Sequence, residues 1–141
     1  MMFPEIDKRQ AVTDVQRFFE HVLPRLLNFA GRSISELTKP EEWQRHYKEE
    51  PTGNEFNQIV DGVLEAIGIM RDGDAFHYHR TLLVDFYVKR QTNLDEEIKL
   101  GLSRQSAIRY RHEACVEFVE CYCGVMYRRG LDTSLVLSGD C

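Results

Sequence analysis

The sequence predicts a small all-α domain. Apolar residues recur at spacings of three and four along several segments, which is the period of an amphipathic helix. Glycines and N-capping residues stand where these segments end and begin. With 141 residues, 43% of them hydrophobic, the chain has material for one compact core.

The first predicted element is an N-terminal helix within residues 1–32. Apolar side chains between Val12 and Ala30 form a continuous stripe on one helical face. Pro24 falls inside this stripe, and it has no backbone N–H to donate. We therefore expect one amphipathic helix with a candidate kink at Pro24.

A charged connection is predicted for residues 33–53. This segment is mostly polar, and prolines and a glycine interrupt it, which favours a connection over core structure. A short helix that begins at Pro40 would place Trp43 and Tyr47 on one face, where both could be buried.

The remaining chain is predicted as a helical domain, residues 54–130, followed by a tail, residues 131–141. Asn54 is a good N-cap for a helix whose pattern ends before Gly73. Residues 74–88 are rich in strand formers but keep a helical period, so a helix is favoured and a strand is the alternative.

Residues 93–122 have the pattern of a helix-turn-helix. Asn93 can cap a short helix, and Gly101 can end it in a left-handed conformation. Ser103 can then cap a long second helix that stops at Gly130. A short helix, a glycine-containing turn and a second helix with cations in its first turns match a DNA-binding helix-turn-helix. A solvated surface helix is the alternative interpretation of the same pattern.

The charge distribution is compatible with this interpretation. The segment from Lys99 to His112 carries +4 and contains no acid, while the whole chain carries −5, so the remainder carries −9. One short basic segment therefore lies on an acidic body, which supplies local positive potential for phosphate contacts.

Seven residues are predicted to contact double-stranded DNA. Residue types that recognise guanine and adenine edges lie on the outward face of the second helix: Arg104, Gln105, Ser106 and Arg109. Donors and cations on the flanks of that face are expected to contact phosphates: Lys99, Arg111 and His112.

The C-terminal half resembles the ArpU family of phage transcriptional regulators. The resemblance is carried by Leu94–Arg104, then by Tyr110, Glu113, Ala114 and Phe118, and at the N-terminus by Phe3–Asp7. It spans residues 3–122 and implies a sigma-region-4-like helix-turn-helix that controls late phage genes. Ala107 and Ile108 depart from the family pattern, in which aromatic residues are more usual there.

Enzyme activity, a catalytic residue, a metal site and a cofactor are not predicted. No paired carboxylates, activated nucleophile or phosphate-binding glycine loop stands out. His77 and His79 receive no role, and Cys121 and Cys123 diverge on a helix, so a zinc site is not expected. The cysteines are expected to be reduced thiols.

The expected setting is the cytoplasm of a bacterial host, because no run of eighteen apolar residues that could span a membrane is present. One recognition helix contacts few base pairs, so we expect a homodimer or a partnership with RNA polymerase. The alternative functions are a protein-interaction module, such as an anti-repressor or adaptor, and a small DNA-packaging subunit.

Overall fold

The computed structural model describes residues 3, 5–43 and 54–134 and confirms the all-α class. The described residues form helices, short 3-10 and π-helical turns, and connections, without a β-strand. The strand alternative for residues 74–88 is therefore wrong.

The predicted N-terminal helix is confirmed, and it begins earlier than its apolar stripe. It consists of α1 (Lys8–Arg17), a π-helical turn (Phe18–Val22) and α2 (Leu23–Ala30). In the π-helical turn the N–H of Leu23 bonds to the carbonyl of Phe18, five residues back. Pro24 follows directly, so the turn with wider hydrogen-bond spacing lies where the missing N–H has to be accommodated.

Part of the predicted charged connection belongs to the core. Ser33 and Glu36 form a reciprocal capping box at the start of a 3-10 helix, Ile34–Thr38. This turn points Leu37 inward, and its side chain is fully buried. The expectation of a connection without core residues is wrong here, because a single buried leucine between polar residues gives no periodic signal.

The short helix after Pro40 is confirmed as α3 (Pro40–Trp43). The indole Nε1 of Trp43 donates to the carbonyl of Leu37 at 2.8 Å. The backbone of Trp43 also lies so close to Gly68 that a Cβ there would be 2.2 Å from the Trp43 carbonyl oxygen. Tyr47, the other residue predicted for this face, lies outside the described residues.

Helix α4 (Glu55–Ile69) forms as predicted, with the Asn54 side chain accepting from the N–H of Asn57 at 2.9 Å. Its C-terminal carbonyls are satisfied by Arg80, whose guanidinium donates to three of them. A cation at this negative end of the helix dipole is favourable. Arg80 therefore ties α4 to the segment that follows.

Residues 74–88 are helical, but the predicted start is wrong. A 3-10 turn (Asp74–Phe76) precedes two left-handed residues, and only then do α5 (His79–Leu83) and a π-helical turn (Val84–Val88) begin. Of the predicted inward face, Leu82 is fully buried, Tyr78 and Phe86 are half-buried, and Ala75 is exposed. The left-handed residues break the helical register on which that face depended.

The last two helices follow the predicted boundaries closely. They are α6 (Asn93–Leu100) and α7 (Arg104–Arg129), and Gly130 ends α7 in a left-handed conformation at φ +69°. Within the described part of the chain, α1, α4, α5 and α6 all pack against α7. The long C-terminal helix is therefore the central element of the core.

Aromatic rings fill the contact between α7 and the N-terminal helical run. The rings of Phe18, Phe19, Phe118 and Tyr122 lie with centroids 5.2–6.4 Å apart, mostly in edge-on or tilted geometry. Such pairs contribute about 0.5–1.5 kcal/mol each beyond the area that they bury. They fix the orientation of α7 and hence of its N-terminal turns.

No described helix is both long enough and apolar enough to cross a membrane.

Cys115 and Cys121 are free thiols. Cys123 is disulfide-bonded, so the expectation of reduced cysteines is wrong for this residue. Of the predicted tail, residues 131–134 are described, and the rest lies outside the described residues.

Candidate nucleic-acid interface

The turn between α6 and α7 is three residues long and is closed by backbone hydrogen bonds. Gly101 has φ +66°, and the N–H groups of Gly101 and Leu102 both bond to the carbonyl of Glu97. This is a glycine C-cap of the kind that ends many helices. Ser103 then caps α7 by accepting from the N–H of Ser106 at 3.1 Å. The start of α7 is thus fixed relative to α6.

The inner side of the first turns of α7 is held in the protein. Ala107 and Ala114 are buried, and Phe118 continues the same stripe into the aromatic core. Small side chains at the first two positions let the neighbouring helices approach closely. The predicted inward stripe of this helix is confirmed at these positions.

The outer side of these turns carries the predicted base-contacting residues. Arg104, Gln105 and Arg109 are exposed, and Ser106 is half-buried beside its capping bond. Positions 105 and 109 are four residues apart and lie on one helical face, and Arg104 precedes Gln105 as the first residue of the helix. Neither Arg104 nor Arg109 forms an ion pair with a described residue, and the Arg109 guanidinium lies 5.1 Å from the centre of the Tyr110 ring.

The Arg111 side chain of α7 packs against the rest of the protein and connects α7 to α6. Its guanidinium carbon lies 3.8 Å from the centre of the Phe86 ring, and its Nη1 donates to Oδ1 of Asn93 at the start of α6. A planar guanidinium suits this combination of stacking and hydrogen bonding. Its observed contacts are structural, although a phosphate contact was predicted.

Lys99 also has a partner within the protein. Its Nζ donates to Oδ2 of buried Asp85 at 2.5 Å, and this bond raises the pKa of the Lys99 ammonium. About half of the Lys99 side chain remains exposed. The ammonium therefore neutralises a buried carboxylate and still borders the exposed surface.

His112 is half-buried next to the basic segment. Burial, and then the positive charges of Arg111 and Lys8, lower the pKa of the imidazole below its ordinary value. The side chain is therefore neutral at pH 7, so it can offer a hydrogen bond to a phosphate but not a charge.

Two features that support the helix-turn-helix were not predicted from the sequence. Thr92, not Asn93, is the N-cap of α6, in a capping box with Asp95. The spacing Thr-x-x-Asp is a sequence signal for such a capping box, and it was not used in the prediction. The second feature is the stacking of Tyr110 on His77, with ring centroids 4.0 Å apart, which joins positions too distant in sequence to be paired by periodicity.

Two carboxyl groups lie buried where α6 meets the preceding segment. Glu96 and Asp85 are each at most 2% exposed. Burial, and then the neighbouring Asp85 carboxylate, raise the pKa of Glu96 to about 7. Lys99 opposes this rise because its ammonium favours the ionised form. The motif thus contains a carboxyl group that is largely protonated in mildly acidic solution.

Similarity to known proteins does not assign the chain to a family. No protein-family model, curated protein or solved structure matches it. The likeness of residues 94–104 to the ArpU family therefore stays a prediction. What the chain binds has to be inferred from the geometry and charge of its own residues.

Proposed function

We propose that this chain is a sequence-specific DNA-binding transcriptional regulator of the ArpU type, with α7 as the recognition helix of a sigma-region-4-like helix-turn-helix. The supporting observation is a pair of exposed arginines, Arg104 and Arg109, on the N-terminal turns of α7. Neither forms an ion pair with a described residue. The major groove of DNA offers hydrogen-bond acceptors to these guanidinium groups, in the negative potential of the surrounding phosphates.

The position of Arg104 strengthens the proposal. It is the first residue of α7, at the positive end of the helix dipole. A cation there destabilises a helix by about 0.3–1 kcal/mol at low salt, so helix stability does not account for it. An anion bound at this end interacts favourably with both the helix dipole and the guanidinium.

Base recognition would fall to the three exposed side chains in these turns of α7. Arg104 and Arg109 have the donor geometry that pairs with guanine in the major groove, and Gln105 can pair with adenine. Arg111 would act as a positioning residue, because it holds α6 against α7 from inside. Lys99 and His112 would contribute backbone contacts at the edges.

The biological role is a further part of the proposal. The resemblance implies control of late phage genes, and we propose that the chain acts in the cytoplasm of a bacterial host. One helix contacts too few base pairs for useful genomic specificity, so a homodimer or RNA polymerase is the proposed partner.

The test begins with selection from a random-sequence duplex library, which requires no knowledge of the operator. We expect enrichment of one motif by the wild-type chain. The double variant R104E/R109E is then compared with R9E/R25E on the selected duplex. Arg9 and Arg25 are exposed arginines of the N-terminal helical run, so both variants change net charge equally.

The proposal predicts that R104E/R109E loses retention of the selected duplex and that R9E/R25E keeps most of it. Circular dichroism controls for folding of both variants. Failure to enrich any motif, or equal losses in the two variants, would overturn the proposal. The protein-interaction and DNA-packaging alternatives would then be favoured.

A further inference from the structure

Three potential metal ligands from distant parts of the sequence, His77, His79 and Glu113, lie close together at α7. Nδ1 of His77 lies 2.8 Å from Oε1 of Glu113, and Nε2 of His79 lies 3.3 Å from the same oxygen. All three ligand atoms lie within 4.8 Å of one another. Glu113 lies 36 positions after His77 and 34 after His79, so no local sequence pattern joins the three residues.

These separations fit the coordination shell of a small divalent metal ion. Metal–ligand bonds of about 2.0–2.1 Å at tetrahedral angles place neighbouring ligand atoms about 3.3 Å apart. The separation of His79 Nε2 from Glu113 Oε1, 3.3 Å, equals this value, and that of His77 Nδ1 from the same oxygen, 2.8 Å, is shorter by about 0.5 Å. Two imidazoles and one carboxylate are also a ligand set found in zinc sites that keep one coordination position open.

The backbone that carries the histidines is held in an unusual conformation. His77 and Tyr78 have φ of +55° and +53°, in the left-handed region that residues other than glycine seldom occupy. Left-handed residues of this kind cost of order 1 kcal/mol each and cluster at ligand sites. Here they end the 3-10 turn so that His77 and His79 both face Glu113.

A second carboxylate lies behind the more buried histidine. Nδ1 of His79 is 3.5 Å from Oε1 of Glu117 and has no hydrogen-bond partner among the described residues. Glu117 is held in place by Arg71, which donates its backbone N–H and its Nε at 2.9 Å each. A carboxylate behind the non-ligating nitrogen is the usual outer-sphere partner of a metal-bound histidine.

We propose that His77, His79 and Glu113 form a site for one divalent transition-metal ion of the zinc class, with Glu117 as the positioning residue behind His79. The ion would tie the turn at residues 73–78 to α7, one helical turn from Tyr110 and Arg109. This site does not depend on DNA binding, so it can be tested separately.

The test uses the full chain, free of any histidine tag and dialysed against a chelator, with Co²⁺ as the spectroscopic probe. We expect one Co²⁺ per chain, an intense visible d–d band typical of low coordination number, and displacement by Zn²⁺. His77→Ala and Glu113→Gln should each weaken Co²⁺ binding by at least about 10-fold, and Glu117→Gln by about 10-fold. Isothermal titration with Zn²⁺ gives the stoichiometry independently.

His21→Ala is the matched control, because His21 is exposed and also lies beside a carboxylate, with its Nε2 3.8 Å from Oε2 of Glu20. Its affinity for Co²⁺ should equal that of the wild type. The proposal is overturned if the wild type binds no stoichiometric metal, or if His77→Ala and Glu113→Gln, folded by circular dichroism, bind as His21→Ala does. A sulfur-to-cobalt charge-transfer band would place the ion at cysteines and overturn it as well.

Discussion

The two ends of α7 both carry pairs of arginines, but the surroundings of these arginines differ. At the C-terminal end, Arg128 and Arg129 both pair with Glu65 of α4, the second with its Nη2 2.8 Å from Oε1. At the N-terminal end, Arg104 and Arg109 have no carboxylate partner among the described residues. One helix thus separates arginines that stabilise the fold from arginines that do not.

The helix dipole makes this difference informative. Cations near a helix C-terminus are stabilised by the dipole and those near the N-terminus are destabilised, each by about 0.3–1 kcal/mol at low salt. Folding energetics therefore account for the C-terminal pair and oppose Arg104, which lies in the first turn of α7. Residues that conflict with local stability are expected at functional sites, which is why we place ligand binding at the N-terminal end.

The largest stability effect is expected at the C-terminal end. Glu65→Gln should lower the free energy of unfolding by about 2 kcal/mol, because it removes the carboxylate that pairs with Arg128 and with Arg129, whose side chain is 14% exposed. Urea denaturation measures the loss. Glu120→Gln, at an exposed position of the same helix, is the control and should change the free energy by less than about 0.5 kcal/mol. Equal effects of the two variants would contradict this account of the C-terminal pair.

The contribution of Glu96, which is buried in α6, to the free energy of unfolding is expected to depend on pH. The pKa of Glu96 is raised to about 7 in the folded chain, against about 4.3 in an unfolded chain. The folded state therefore binds this proton more tightly. The stabilisation is fully present below about pH 4 and is lost as pH rises through about 7.

Glu96→Gln should remove this dependence. The variant is expected to be more stable than the wild type by about 1–2 kcal/mol at pH 8, with a much smaller difference at pH 4. Urea denaturation across this range provides the measurement. A wild type whose contribution from Glu96 grows with rising pH would show that the carboxyl is ionised and well paired with Lys99.

The smallest expected change in the free energy of unfolding is the one that distinguishes the two ends of α7 most clearly. Arg104→Gln should raise the free energy of unfolding by about 0.3–1 kcal/mol at low salt, because it removes a cation from the positive end of α7. Arg25→Gln, at an exposed arginine within the N-terminal helical run, should have no comparable effect. A destabilised Arg104→Gln variant would mean that Arg104 has a structural partner.

Much of the fold was predictable because its signals are local. Asn54, Ser103 and the glycines at 101 and 130 mark helix ends through capping chemistry that depends on a few neighbouring residues. Period-3.6 stripes likewise predicted the inward side of α7. The exposure of the face opposite that stripe, which carries the proposed base contacts, was predicted from the same periodicity.

The features that were missed depend on contacts between distant residues. The π-helical turn and the left-handed pair at His77 and Tyr78 shift the register of the segment before α6. Histidine is enriched in the left-handed conformation, but most histidines do not adopt it, so His77 alone does not predict the pair. Arg111 was predicted as a phosphate contact because periodicity cannot show that Phe86 and Asn93 occupy its surroundings. Glu113 was not predicted as a candidate metal ligand, because its proximity to His77 and His79 is also a contact between distant residues.

The most direct test of the central claim is the salt dependence of affinity for the selected duplex, measured by fluorescence anisotropy between about 50 and 200 mM salt. We expect log affinity of the wild type to fall linearly with log salt concentration. R104Q/R109Q should bind the selected duplex at least about 10-fold more weakly than the wild type and discriminate less between it and a scrambled duplex of equal length. An affinity that does not change with salt, or equal discrimination by the wild type and R104Q/R109Q, would contradict the claim that the N-terminal end of α7 binds DNA.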